Sequence, residues 1–160
     1  EMALKEVAFR VKKKVENEVV PSLSGTNIHR EKILACISSN ERTPRHIIRK
    51  AYRMASRYNT SFVALYVQTP RENTDRISLA SQRHLLNHFK LVTELGGEVV
   101  QTASSNVFET IIETCRKHQI TTICMGQPAF KIPKVFFDIP KYKRFIASLS
   151  EMRIDLIIIA

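Results

Sequence analysis

The sequence predicts an α/β domain, a three-layer sandwich built on a five-stranded parallel sheet of order 3-2-1-4-5 and preceded by an N-terminal helix. Two observations carry this expectation. Short apolar runs alternate with amphipathic stretches of helical period, the pattern of repeated strand–helix units. The first unit, ILACISSNERTPRHIIRK from Ile33 to Lys50, couples an unbroken apolar run to a polar turn and a helix start. An unbroken run suits a strand buried on both faces. Thr43 is a good helix cap and Pro44 suits the first helical position.

Glu1–Val20 reads as a helix, with Leu4, Val7, Val11, Val15 and Val19 on one stripe, ended by Pro21. Residues 1–30 are therefore expected to be a helix and linker from a preceding region, and 31–160 the α/β domain. Both ends suggest a piece of a longer protein. After the first strand, a helix carries Ile47, Ile48, Ala51, Met54, Ala55 and Tyr58 on one face. Phe62–Val67 is the second strand. Leu85, Leu86, Phe89, Val92 and Leu95 mark a helix over Ser78–Leu95, closed by Gly96-Gly97. Glu98–Thr102 is the third strand, and Asn106 with Glu109 forms a capping box before the next helix. Thr121–Met125 is the fourth strand, broken by Gly126-Gln127-Pro128. Asp138 to Pro140 precedes a short helix carrying Tyr142, Phe145, Ile146 and Leu149, and Ile154–Ala160 is the fifth strand.

Composition narrows the function. Apolar content of 44% supports a packed core, and no apolar run approaches the roughly 20 residues of a membrane span. The first residues lack a secretory apolar region, so a soluble, cytoplasmic chain is expected. Cys36 and Cys124 fall in strands and Cys115 in a helix, with no CxxC, which favours buried thiols over disulfides or zinc. The net charge of +10 implies attraction to something anionic: nucleotide, nucleic acid, acidic protein or membrane surface.

In a sheet of this order the ligand crevice lies between strands 1 and 4, at their carboxyl ends. Its expected floor is Ser38, Ser39 and Asn40 on one side and Gly126 and Gln127 on the other, with free backbone N–H groups that favour anions. Ordinary turn formation explains the same residue types. Arg45, Arg49, Arg53 and Arg57 form a basic stripe on the first helix, a solvated face or a docking surface for an acidic partner. Lys131 and Lys134 lie in the long loop Gln127–Pro140 after the fourth strand, which is either a contact element or a surface connection. His84 and His88 share a helix face but lack a third ligand, so they are expected to face solvent, with no metal. No catalytic constellation can be placed, and no nucleic-acid-binding signature appears.

The runs EKILACISSN, FVALYVQTPRE, ELGGEVV, TTICMGQPAF and MRIDLIIIA, taken together, resemble the universal-stress-protein-like domain of the KdpD family of potassium-responsive sensor histidine kinases. The resemblance implies a Rossmann-like fold of the adenine-nucleotide-hydrolase type, in the cytoplasmic part of a membrane-anchored kinase. It also implies a regulatory role in potassium uptake and no kinase core in this segment. Its implied partners are the rest of the sensor kinase, another regulatory protein or a second copy. ATP-binding universal stress proteins carry an Asp after strand 1 and a glycine-rich loop after strand 4. Here Ser38-Ser39 replaces the Asp, Ala129 stands where the second Gly belongs, and no further Gly follows, which disfavours ATP. Some KdpD members share a different motif, linked to cyclic di-AMP. Ser39, Phe62, Ala64 and Tyr66 match it, while Glu41 and Val63 depart from it. On that resemblance, Ser38, Ser39, Asn40, Gly126 and Gln127 would contact phosphate or ribose. Phe62, Ala64 and Tyr66 would shape a base pocket. One face of a buried strand would look the same.

Overall fold

The computed structural model describes residues 30–128 and 135–160, the second segment with side chains from Asp138 onward. The expected N-terminal helix, and Lys131 and Lys134, lie outside the described residues. Five strands, β1 (Ile33–Ile37), β2 (Phe62–Gln68), β3 (Glu98–Ala103), β4 (Thr122–Gly126) and β5 (Asp155–Ile159), form one parallel sheet in the order β3-β2-β1-β4-β5. The expected order is thus the observed one. Four helices connect them: α1 (Thr43–Arg57), α2 (Leu79–Glu94), α3 (Val107–His118) and α4 (Val135–Glu151). A 3-10 turn over Pro70–Glu72 follows β2 directly.

Alternation along the strands divides the core into two layers. Ile33, Ala35 and Ile37 of β1, with Phe62, Ala64 and Tyr66 of β2, face α1 and α2. Leu34, Leu65, Val67, Ile123 and Met125 face α3 and α4. Both faces of the inner strands are therefore dry, which is why β1 and β2 read as unbroken apolar runs.

Local chemistry sets the element ends, and several differ from expectation. Helix α1 is capped by Arg42 in helical geometry with no side-chain hydrogen bond, so Thr43 is a helical residue and not the cap. Asn59 then takes a left-handed conformation (φ 52°) that turns the chain out of the helix. Tyr58, at the end of the helix, is 51% exposed and lies off the apolar face where the sequence pattern places it. Ser78 caps α2 by accepting the Ser81 N–H at 3.1 Å. Leu86 projects into solvent at 65% exposure, because the 3.6-residue period gives α2 a narrower buried stripe of Leu85, His88 and Val92. Asn106 caps α3 as expected, but its side-chain amide bonds Glu109 at 2.7 Å, while its own N–H goes to Ser104 at 3.1 Å.

Helix α4 begins before Asp138 and runs through Pro140, which sits inside it. The expected start after Pro140 is therefore too late. Pro140 gives up one backbone hydrogen bond near the helix start, and Asp138 in the first turn complements the local dipole. The final strand is shorter than expected, and Gly126 closes β4 instead of breaking it. None of the described helices is long and apolar enough to cross a membrane.

Candidate functional site

The carboxyl ends of the strands converge on a polar opening. Strands β1 and β4 pair only from Ile33–Thr122 to Ala35–Cys124. On the other side, β1 stays paired to β2 through Ile37–Tyr66, and β4 stays paired to β5 through Gly126–Ile159. The sheet therefore parts between Ile37 and Gly126, at the point where the strand order reverses.

Ser38, Ser39 and Asn40 form the turn above this parting. The Ser38 hydroxyl accepts the Asn40 N–H at 3.4 Å. The Ser39 hydroxyl donates to Glu72 Oε1 at 2.7 Å, and its N–H approaches the same oxygen at 3.5 Å. The Asn40 carbonyl meets His88 Nε2 at 2.7 Å. A carbonyl only accepts, so Nε2 carries the proton, and Nδ1 is a buried acceptor with no partner among the described residues.

His88 is 1% exposed, which overturns the expectation of a solvent-facing pair with His84. The turn after β1 folds back over α2 and covers it. Burial, opposed by the Asn40 carbonyl and assisted by His84 and Arg45, holds its pKa below the usual 6.5. Among the described residues, no three of His, Cys, Asp and Glu come together as metal ligands.

Tyr66 ends the β2 face below the same turn, its ring edge-on to Phe89 at 5.9 Å. The Tyr66 hydroxyl is buried and forms no hydrogen bond of proper geometry, although it lies beside the Glu72 carboxylate. Burial first, and that carboxylate second, push its pKa up to about 12. Glu72 thus holds Ser39 and lies beside Tyr66, and the apolar strand pattern carries no sign of it. Its signal was position: an acid shortly after the second strand of a doubly wound sheet faces the crevice.

Other expected site residues lie elsewhere. Phe62 is four residues before Tyr66, about 13 Å along the strand. It pairs with Ile33 at the amino end of the sheet, and its ring packs against Gly97. Ala64 is buried at mid-strand between Ala35 and Val99. A Cβ on Gly126 would stand 3.1 Å from the Thr43 methyl, so the absent side chain there makes room for α1. Gln127 is exposed beyond it.

A cavity of about 280 Å³ opens beside the turn, on the α3 face of β1 and β2. Leu65, Val67, Val107 and Ile111 form its apolar side, and Ser38, Arg71 and Glu72 its polar side. A second groove of about 270 Å³ runs between α3 and α4, over Phe108 and Phe145 stacked at 4.8 Å, with Arg116, Lys141 and Arg144 at its rim. Arg45, Arg49, Arg53 and Arg57 are all exposed on α1, with no ion pair among the described residues. Cys36, Cys115 and Cys124 are free thiols, and burial raises the pKa of each.

No protein-family model matches the chain. Solved structures share its fold. A universal stress family protein from Burkholderia pseudomallei superposes with a TM-score of 0.54 at 17% identity, covering 84% of this chain and 98% of that one. A universal stress protein from Archaeoglobus fulgidus, solved in complex with dAMP, gives a TM-score of 0.52 at 10% identity, covering 81% and 98%. The sequence is 36% identical over 131 residues to the sensor protein KdpD of Clostridium acetobutylicum, covering 79% of this chain and 14% of that protein. The chain thus has the universal-stress-protein fold and resembles a segment of the KdpD sensor proteins. The KdpD sensor protein of Escherichia coli K12 is 31% identical over 100 residues, covering 62% of this chain and 11% of the relative. The domain thus spans only a small part of the curated relatives it matches.

Proposed function

We propose that this domain is a non-catalytic cytoplasmic regulator within a membrane-anchored sensor histidine kinase that controls potassium uptake. Its ligand in this reading is a nucleotide second messenger, cyclic di-AMP. The observation that carries the reading is the parting of β1 and β4 beneath the Ser38–Asn40 turn, beside a cavity with one apolar and one polar side. An apolar wall takes a base, and Arg71 on the polar side takes a phosphate. A protein of the same fold has been solved with dAMP, which supports a nucleotide at this kind of fold.

In this proposal Ser38, Ser39, Asn40 and Gln127 contact ribose or phosphate, with Gly126 at the floor. Tyr66 supports the turn from below, and Phe62 and Ala64 hold β2 in place from within the core. Calorimetric titration of the chain with cyclic di-AMP, with ATP and cyclic di-GMP as controls, tests it. Binding of cyclic di-AMP alone, on the order of micromolar or tighter, is the expected result. Heat with ATP alone would transfer the site to a different nucleotide.

Absence of heat with all three would leave the second reading, a docking module. That reading rests on the four exposed arginines of α1, unpaired among the described residues, on a helix with no acidic residue. Lys131 and Lys134 are further partner contacts in this reading, on their charge alone. Its partner would be the rest of the kinase, another regulatory protein or a second copy.

A further inference from the structure

The Glu72 carboxylate is out of place in a site that receives only phosphate. It closes the 3-10 turn after β2 and lines the 280 Å³ cavity. Its Oε1 is held by the Ser39 hydroxyl at 2.7 Å and approached by the Ser39 N–H. A carboxylate offers about four acceptor positions. Ser39 uses two of them, and the Tyr66 hydroxyl beside it forms no proper hydrogen bond. Acceptor capacity therefore remains, fixed in direction, at the mouth of a cavity. A negative charge there repels phosphate and accepts hydroxyl protons.

Next to it in sequence, Arg71 lines the same cavity and offers the opposite charge. The apolar side, Leu65, Val67, Val107 and Ile111, is where the base of a nucleotide would lie. The sugar links base to phosphate, so the group that reaches the wall between the apolar side and Arg71 is the sugar. In dinucleotide-binding doubly wound sheets an acid beyond the Gly-rich turn binds the ribose 2′-hydroxyl, and Glu72 offers the same chemistry here without that turn.

We infer that Glu72 accepts the ribose 2′-hydroxyl of the bound nucleotide, with Ser39 as the residue that positions it, so that the site selects ribonucleotides over 2′-deoxyribonucleotides. This inference rests on the nucleotide reading above. Titration of the 160-residue chain with cyclic di-AMP and with its bis-2′-deoxy analogue separates the two. The wild-type chain is expected to prefer the ribose form by roughly tenfold, the loss of one hydrogen bond to a charged acceptor. The preference falls to about threefold in Glu72→Gln, which keeps a neutral acceptor, and disappears in Glu72→Leu. Melting curves of both variants show whether they are folded, and the wild-type comparison needs no variant.

Equal affinity of the wild-type chain for both ligands overturns the inference and leaves the nucleotide reading intact. Glu72 is then only a staple for the Ser39 turn. A preference that survives unchanged in Glu72→Leu overturns it as well. If neither ligand binds any form, the nucleotide reading falls and takes this inference with it.

Discussion

Replacing Gly97 by alanine tests whether Phe62 belongs to the core or to a ligand pocket. A Cβ at position 97 would stand 2.6, 2.8 and 2.9 Å from three atoms of the Phe62 ring. Ordinary carbon contacts lie near 3.5–4.0 Å, so the ring must retreat by roughly 1 Å. Phe62 is 1% exposed and packs in the layer that includes Ala64 and Val92, so it has little room to move. Overpacking of this kind costs about 1–3 kcal/mol. For a chain of this size, each kcal/mol lowers the melting temperature by about 2–4 °C. Thermal unfolding should therefore fall by roughly 2–12 °C. Trimming the ring with Phe62→Leu should recover much of that loss in the Gly97→Ala background. The same trim should destabilise the wild-type chain, giving a coupling of opposite signs in a double-mutant cycle. Gly96→Ala is the control. Gly96 has φ +76° and nothing within 4 Å of an added Cβ, so its cost is backbone strain and shows no coupling to position 62. Nucleotide affinity should not change, since the clash is at the far end of β2 from Tyr66. An unchanged melting temperature, additive effects, or a loss of affinity without a loss of stability would refute the assignment of Phe62 to the core.

Three further outcomes follow from the structure. His88 is buried neutral with its pKa held below 6.5, so the unfolded chain takes up a proton that the folded chain resists. Stability should hold above pH 6.5 and fall as the pH drops through the lowered folded value, seen as an earlier urea midpoint at pH 5 than at pH 7. His88→Gln should flatten that dependence, and an equal slope in the variant would assign it to other groups. The thiols of Cys115 and Cys124, pushed up by burial to about 12 and about 11, should react slowly with a thiol reagent at neutral pH until urea unfolds the chain. Rapid labelling of either in the folded protein would contradict this packing. Reversing Arg49 and Arg53 to glutamate should change stability by no more than about 0.5 kcal/mol each, because both are exposed and unpaired among the described residues. It should lower the salt at which the chain elutes from immobilised polyglutamate by more than a like reversal of two exposed basic residues elsewhere, and an equal shift would remove α1 as the basic docking face.

The strands and their order were legible because burial on both faces writes long apolar runs, and Ile33–Ile37 and Phe62–Val67 are such runs. The helix ends were legible where a cap has its own chemistry, as at Ser78 and Asn106. The burial of His88 was not, because the residues that cover it come from a turn 48 positions away. Glu72 was missed for a related reason: a single acid in a loop carries no period, and only the pairing of β1 with β2 brings it to Ser39. Gly126 was expected to let backbone approach a ligand; the structure shows in addition that the missing side chain leaves room for Thr43, a contact across 83 positions that no local pattern announces. Phe62, Ala64 and Tyr66 share a strand face, and spacing alone cannot tell which end of the sheet each occupies.

The early end of the β1–β4 pairing has a mechanical meaning. Three residue rows join these two strands, against five between β1 and β2 and five between β4 and β5. The sheet is in effect two panels, β3-β2-β1 and β4-β5, sharing a short seam. A molecule lodged across the open end would act as a clasp, adding the fastenings that the backbone leaves out. The angle between the panels is then the quantity most open to change by a bound ligand. Helix α1 crosses the seam, with Thr43 against Gly126 and Met54 against Cys124 of β4 while it also packs on β1, so it would feel such a change directly.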